Sequence, residues 1–322
     1  MGATAIVLGA SGFSGAEIVR LLLGHGAIEV VGLGAHARAG AAVTEVLPHV
    51  GEAAGLEVES IEDVVGLDAD VCFSCLVSGA LADVLGSIRA PVVIDLADDF
   101  RGSKGWTYGL TEFMRAEVAD ATRIANPGCY PTAILLSVLP FARAGLMEGT
   151  VIVDALSGVS GAGRRAEQRL LFAELSGGAS AYGTVEHRHV PEVERGLAEL
   201  GGAPLQVSFT PHLVPMSRGV LVTARADLAS QVNDDEVLEV LRAAYKDEPF
   251  IEVVADWPKT KPVTGTNRAH VSARVDTRNG LLICSAAIDN LGKGAAGQAI
   301  QNANVALGIE ESAGLGAYGV WP

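Results

Sequence analysis

The stretch TAIVLGASGFSGAEIVRLLL, residues 4–23, decides the fold. Its apolar run from Thr4 to Gly9 has the length and composition of a buried strand. GASGFSG at 9–15 then supplies a glycine-rich turn, and Ala16–Leu23 carries Ile18, Val19, Leu21, Leu22 and Leu23 as a helix. Strand, glycine turn and helix in that order form the phosphate-binding entry of a dinucleotide fold. The glycines let backbone N–H groups approach a pyrophosphate, and the start of the helix holds its charge. The spacing is G-x-x-G-x-x-G rather than G-x-G-x-x-G, so on this turn alone a loop that binds nothing stays open.

Ile28–Leu33 reads as the second strand. A site selective for NAD usually ends this strand in an acid that binds the ribose hydroxyls. This chain instead reads Gly32-Leu-Gly-Ala-His-Ala-Arg38, with no acid at the tip and with His36 and Arg38 just beyond. Arginine pairs well with a phosphate dianion, so the reading favours NADP(H); a solvated loop arginine is the alternative. Strand-like runs at 71–76 and 92–96, with a helix-like 79–89 between them, imply a parallel, doubly wound α/β sheet of Rossmann type. Asp95-Leu-Ala-Asp-Asp-Phe-Arg101 then leaves the carboxyl end of a strand, where ligands of such sheets bind, and Arg101 is a candidate anion clamp. Residues 102–122 read as polar and irregular.

NPGCYPTA at 126–133 follows. Cys129 opens the run Ile134, Leu135, Leu136, Val138, Leu139 and Phe141, which recurs with helical spacing. Pro131 suits a first helical turn, where its missing N–H costs nothing. The sulfur then sits at a helix N-terminus, where unpaired N–H groups and the macrodipole favour an anion. Such a site lowers a thiol pKa from ~8.5 into roughly the 3.5–7.5 range. The plain alternative is a packed, inert thiol. Cys72 and Cys75 form a C-x-x-C inside an apparent buried strand; residues three apart point to opposite faces, and no second pair completes a zinc site.

Beyond this helix the pattern changes. Residues 150–156 read as a strand, and Ser157-Gly-Val-Ser-Gly-Ala-Gly-Arg164 is a second glycine-rich loop opening a helix at about 165–175. Val185-Glu-His-Arg-His-Val-Pro-Glu192 gathers three basic side chains ahead of another helix. His187 and His189 lack a third ligand at metal spacing, so acid–base work is the stronger reading and no metal is assigned; capping or hydrogen bonding stays open. Strands at 205–210, 219–226, 251–254, 271–276 and 281–288, with a helix at 234–245, resemble an α+β domain with a mixed sheet. The segment from Asp289 leads into an apolar helix ending near Leu307, expected to return to the first domain and cover the cofactor.

The chain has 322 residues, enough for one large or two medium domains with real cores. Its formal charge of −15 and lack of a basic run argue against a nucleic-acid partner. No apolar run is long enough for a bilayer, and the N-terminal segment reads as a strand rather than an export signal. With four free thiols, this points to a reducing cytoplasm.

Taken in order, GASGFSG (9–15), DLADDFR (95–101), NPGCYPTA (126–133), SGVSGAGR (157–164), EHRHVPE (186–192), FTPHLVPMSRG (209–219) and IDNLGKGAAGQAIQN (288–302) resemble the N-acetyl-gamma-glutamyl-phosphate reductase family. That family lies within the semialdehyde dehydrogenases, and the resemblance spans nearly the whole chain. It implies NADPH-dependent reduction of a small-molecule acyl phosphate, N-acetyl-glutamyl 5-phosphate, to the semialdehyde in arginine biosynthesis. It also implies a homodimer or homotetramer built through the second domain. Residues 1–128 with 290–322 are then the NADP-binding domain, and 129–289 the catalytic and dimerisation domain.

On this pattern Cys129 is the nucleophile and His187 the general acid/base. Arg101, Ser157, Arg164, Arg188, His189 and Glu192 line the substrate. Gly9, Ser11, Gly12, Phe13 and Ser14 match the pyrophosphate turn; Asn290, Lys293 and Gly294 match the segment beside the nicotinamide. Two departures stand out. Many relatives have Leu-Pro-His-Gly where this chain reads Leu76-Val-Ser-Gly79, which predicts a looser loop there. Asp98-Asp99 is also more acidic than the usual pattern. A sister reductase for a carrier-protein-bound aminoadipyl or glutamyl phosphate would share the chemistry. The acidic surface suits an acidic carrier only if Arg164, Arg165, Arg169 and Arg188 form a dock. A non-catalytic dinucleotide sensor would need neither Cys129 nor the HRH cluster.

Overall fold

The computed structural model describes residues 2–51, 55–316 and 318–320. The chain divides into two units, Met1–Gly128 with Ala295–Gly316 and Cys129–Gly294 with Ala317–Pro322. In the first, β1 (Ala3–Leu8) runs through the glycine turn into α1 (Phe13–Leu23), and β2 (Ile28–Gly34) follows. Then come α2 (Val43–Val46), β3 (Val58–Glu59), α3 (Ile61–Val64), β4 (Val71–Ser74), α4 (Ala80–Val84) and β5 (Val92–Asp95). After β6 (Thr107–Tyr108), α5 (Thr111–Ala119) and β7 (Arg123–Ala125), the strands make one parallel sheet in the order β3-β2-β1-β4-β5-β7-β6. Chain order reverses between β1 and β4, the switch point at which such sheets open a crevice beyond their carboxyl ends. Ile6, Leu8, Val71, Phe73 and Ile94 are wholly buried, as strands covered on both faces require.

Three helices escaped the sequence reading, the four-residue α2 and α3 and the longer α5. Residues 102–122 contain α5, whose apolar face is weak: only Thr111 and Val118 are buried, and Met114 departs from helical geometry (φ −131°).

The second unit begins with α6 (Cys129–Arg143), buried from Tyr130 to Ala142. β8 (Met147–Ser157) follows, then α7 (Phe172–Leu175), β9 (Ser180–Ala181), α8 (Val190–Glu199), β10 (Gln206–Leu213) and β11 (Val220–Leu228). α9 (Asp234–Ala244), β12 (Ile251–Val253), β13 (Ala269–Asp276) and β14 (Leu281–Ile288) complete it. The sheet order is β12-β13-β14-β11-β8-β10-β9, antiparallel through β8, β11, β14 and β13 and parallel where β10 joins β8 and β12 joins β13. Helices α6, α8 and α9 pack on this sheet. Alternation follows: Val151 and Val153 are buried while Ile152, between them, is 48% exposed. The helix expected at 165–175 shrinks to a 3₁₀ turn at Gln168–Leu170 and the four residues of α7, on an exposed excursion that buries no apolar face to hold a longer helix.

After β14 the chain makes a π-helical turn, Gly292–Ala296, before α10 (Gly297–Ala306), which packs on α1, α5 and β5 of the first unit. The crossing thus falls after Gly294 rather than at 290. Hydrogen bonds hold residues 290–294 in the second unit: Asn290 Oδ1 accepts from the Gly219 amide (2.7 Å), and the Gly294 amide donates to the Asp289 carbonyl (2.9 Å).

Candidate active site

In the first unit the glycine turn is built as nucleotide binding requires. Gly9 has φ +80°, and a Cβ there would lie 2.5 Å from the Cys75 carbonyl oxygen. A Cβ on Gly15 would meet the Gly9 carbonyl at 2.4 Å, so these positions admit only glycine. α1 spans eleven residues, and its N-cap, Gly12, has no side chain to bond the first-turn amides. That cradle suits a pyrophosphate. Ser11, Phe13 and Ser14 are half-buried around it, while His36 and Arg38 stand exposed just past β2. Arg101 donates from Nε to the Asn126 carbonyl (2.8 Å) and from Nη2 to the Leu96 carbonyl (2.9 Å). Two of its donors therefore fasten backbone, a role that the expectation of an anion clamp did not include.

In the second unit Cys129 is the first residue of α6 and is half-buried. The backbone of Gly294 presses on it: a Cβ on Gly294 would come within 2.8 Å of the Cys129 Cβ. Next to the cysteine, Tyr130 starts a ring cluster. Its hydroxyl lies 3.0 Å from that of Tyr182, and its ring meets His187 edge-on at 5.7 Å and Phe209 at 5.1 Å between centroids. Tyr182 meets His187 at 5.9 Å, and His187 and His189 are 4.9 Å apart. Burial pushes both tyrosine hydroxyls above their ordinary pKa, and the charge of Cys129 adds to it. The sulfur is thus within electrostatic reach of the two tyrosines whose rings flank His187.

His187 is drawn down to about 4, first by burial and then by the Arg188 guanidinium. Its Nδ1 accepts the His189 backbone amide (3.2 Å). A neutral imidazole that accepts at Nδ1 carries its proton on Nε2, so this ring is poised to donate from Nε2. His189 occupies the N-cap position of α8 without a side-chain capping bond and is buried, and Glu192 is buried in the helix's first turn. Arg188 is exposed.

Ser157, at the end of β8, is buried and donates to the Gly158 carbonyl (3.1 Å), whereas Arg164 lies exposed at the start of the excursion. Asn290 does structural work: besides its bond to Gly219, its Nδ2 donates to Ser160 Oγ (2.9 Å). It therefore ties the glycine-rich loop to the segment before β11. Lys293 is fully buried, its ammonium 5.9 Å from the Phe250 ring centre.

Tyr130, Tyr182, Phe209, Arg218 and Asp289 are the contributors that sequence reasoning left out. Four lie in or beside the quoted motifs; Tyr182 carries no sequence signal. No cluster of His, Cys, Asp and Glu among the described residues could hold a metal, and no described helix is long and apolar enough to cross a membrane. Cys72 and Cys75 are both pushed far up by burial, which keeps them as thiols.

Family models match both halves: the semialdehyde dehydrogenase NAD binding domain at residues 4–121 and the semialdehyde dehydrogenase dimerisation domain at 129–290. The N-acetyl-gamma-glutamyl-phosphate reductase of Frankia casuarinae is 43% identical, with all of both chains covered. A probable chloroplastic N-acetyl-gamma-glutamyl-phosphate reductase of Arabidopsis thaliana is 39% identical over 96% of this chain and 83% of the relative. Among solved structures, aspartate semialdehyde dehydrogenase II from Vibrio cholerae superposes with a TM-score of 0.78 at 18% identity, covering 95% of this chain and 99% of that one. The Candida albicans aspartate semialdehyde dehydrogenase solved with NADP has a TM-score of 0.70 at 19% identity, covering 95% and 98%. A glycine cradle for a dinucleotide, a cysteine opening a buried helix and full-length relatives of one name agree: the chain belongs to the N-acetyl-gamma-glutamyl-phosphate reductase family of semialdehyde dehydrogenases.

Proposed function

We propose that the chain reduces N-acetyl-L-glutamyl 5-phosphate to N-acetyl-L-glutamate 5-semialdehyde with NADPH, releasing phosphate. The observation that carries this reading is Cys129 as the first residue of α6, set against the Gly294 backbone and beside the Tyr130, Tyr182 and His187 cluster. An acyl phosphate is activated, but its charge repels nucleophiles; Arg101 and Arg188 offset that charge. Ser157, Arg164, His189 and Glu192 line the substrate. The Cys129 sulfur attacks the acyl carbon while the N–H groups of the helix start hold the oxyanion. The carbon–oxygen bond to phosphate breaks and phosphate leaves with the bonding pair, so the acyl group stays on sulfur as a thioester. Bound nicotinamide supplies the hydride. When the carbon–sulfur bond breaks, the aldehyde departs and sulfur recovers its electron pair as thiolate. His187 serves from Nε2, its N–H steadying the developing oxyanion, and the one proton that the reaction consumes goes from solvent to the departing phosphate.

Arg38 and His36, beyond an acid-free end of β2, support NADPH over NADH through the extra ribose phosphate. A second copy of the chain suits the sheet face away from α6, α8 and α9, where Ile152 is 48% exposed beside the Arg225–Asp154 ion pair. Free thiols fit a reducing cytoplasm.

The test is reverse turnover: NADP-dependent, phosphate-dependent oxidation of N-acetyl-glutamate semialdehyde, run beside the carrier-linked substrate. Enzyme quenched with acyl phosphate but no reductant should gain the acyl mass on the Cys129 peptide alone. Preference for the carrier-linked substrate would replace the substrate assignment. An adduct on another peptide, or none, would overturn the thioester route.

A further inference from the structure

The stretches Leu76–Gly79 and Asp98-Asp99 meet in the first unit. The Ser78 hydroxyl donates to Asp98 Oδ1, and the Gly79 amide donates to Asp99 Oδ2 at 2.6 Å. These bonds join the loop after β4 to the loop after β5, just beyond neighbouring strands whose last residues, Ser74 and Asp95, are in register. Below them the Leu96 amide donates to the Ser74 carbonyl (2.9 Å), so the bonds through residues 78 and 79 extend the pairing past the sheet. The loop expected to be looser is instead fastened at its far end. Its near end is part of the nucleotide cradle. The Cys75 amide donates to the Leu8 carbonyl (2.8 Å), and the Cys75 carbonyl leaves no room for a side chain on Gly9. Between the two anchors Val77 stands 65% exposed at the crevice end of the sheet.

We infer that Ser78 and Asp98, with the Gly79–Asp99 bond beside them, form a latch that holds the loop after β4 as one wall of the nucleotide site. Both are positioning residues for cofactor binding. The loop has only four residues between the Cys75 anchor and α4, so its shape depends on what holds it at Ser78 and Gly79. An ordered loop has already lost the conformational freedom that binding would otherwise cost, and a latch of this kind raises affinity by preorganisation. The charge of Asp98 strengthens the bond it accepts, and it also places an anion near a site for a polyanionic ligand. These two effects have opposite signs, which makes them separable. The inference rests on nucleotide binding by this unit and is independent of the acyl-phosphate substrate.

The experiment is NADPH titration of the full-length chain without substrate, followed by protein fluorescence. For a charge-assisted bond at an exposed loop, Ser78→Ala and Asp98→Ala should each weaken binding by about three- to tenfold. The double variant should be no weaker than the weaker single, because either change opens the same bond. Ser78→Thr, which keeps the hydroxyl, and Asp98→Asn, which keeps an acceptor, should restore binding to within about twofold of the parent. In turnover the Ser78→Ala loss should appear in KM for NADPH with kcat held to within about twofold. Hydrogen exchange at the Gly79 amide should quicken in Asp99→Ala. Unchanged affinity in both alanine variants overturns the latch, as does a double variant whose loss is the product of the singles. Tighter binding in both Asp98→Ala and Asp98→Asn also overturns it, since charge alone would then govern that position.

Discussion

The Tyr245 hydroxyl donates to the Leu136 carbonyl at 2.6 Å, the acceptor that Pro140, four residues on, has no N–H to reach. A proline inside a helix removes one bond of the ladder and leaves a carbonyl without its usual donor. Here that carbonyl is buried in the helix that carries Cys129, and a side chain from the residue after α9 supplies the missing donor. Tyr245→Phe should therefore cost about 1–3 kcal/mol, the usual penalty for orphaning a buried polar group. In a Pro140→Ala background the new amide takes over the Leu136 carbonyl, and the same tyrosine change should cost measurably less. Denaturant midpoints of the four proteins give the coupling; strict additivity would mean that the hydroxyl and the proline are unrelated.

Cys129 and Gly294 are packed so closely that any side chain at 294 must push one of them aside. Gly294→Ala places a methyl carbon 2.8 Å from the cysteine Cβ, well inside contact distance. On the proposed thioester route, displacing the sulfur by about 1 Å can cost roughly 10²-fold in rate, and a loss of at least that size is expected with the fold intact. Alkylation kinetics of Cys129 read the displacement directly. Parent-like turnover in a folded Gly294→Ala protein would show that the cysteine needs no such support.

Much of the architecture could be read from residues alone, and the gaps have physical causes. The strand, turn and helix at 4–23 are local: apolar runs and glycines specify them without help from distant contacts. The same is true of Cys129 at a helix start, since Pro131 and the following apolar run mark the boundary. α5 was missed because its burial comes from α10, nearly 200 residues later; Gln298 donates to Thr111 Oγ1 (2.6 Å), and Thr111 in turn bonds Asn302 (2.8 Å). The π-helical turn at 292–296 was beyond reach because its entry depends on one carboxylate collecting donors from three segments. Tyr182 stood out in no periodic pattern; only the fold brings it to Tyr130.

His187 is expected to stay neutral down to about pH 4, because burial and then the Arg188 charge oppose its protonation. The ordinary value in an unfolded chain is about 6.5. As pH falls through that value the unfolded chain takes up a proton that the folded ring refuses. The contribution of His187 to stability therefore declines between about pH 6.5 and 4 and is constant above that window. Arg188→Gln should raise the titration midpoint, though not to the unfolded value, since burial is the larger cause. Following the ring Cε1 proton by NMR settles the point. A parent midpoint near 6.5, or one indifferent to Arg188, would contradict the assignment.

Asp289 is wholly buried and collects donors from three directions. Arg218 Nε reaches both carboxylate oxygens (3.1 and 2.9 Å), the Gly265 amide reaches Oδ2 (2.6 Å), and the Leu291 and Gly292 amides reach Oδ1 (2.8 and 3.0 Å). The carboxylate is what turns the chain from β14 toward Lys293 and Gly294. Asp289→Asn keeps the shape, but its amide group must then point an N–H at one of these donors while leaving Arg218 without its counter-charge. Breaking a buried pair from one side costs about 3–5 kcal/mol, and a loss in that range is expected. Asp289→Asn with Arg218→Met removes the stranded charge but not the stranded amides, so it should recover part of the loss and no more. Full recovery would assign the whole effect to the ion pair; no recovery would assign it to the three amides and make the arginine incidental. Chemical denaturation of the parent, each single variant and the double variant separates these outcomes.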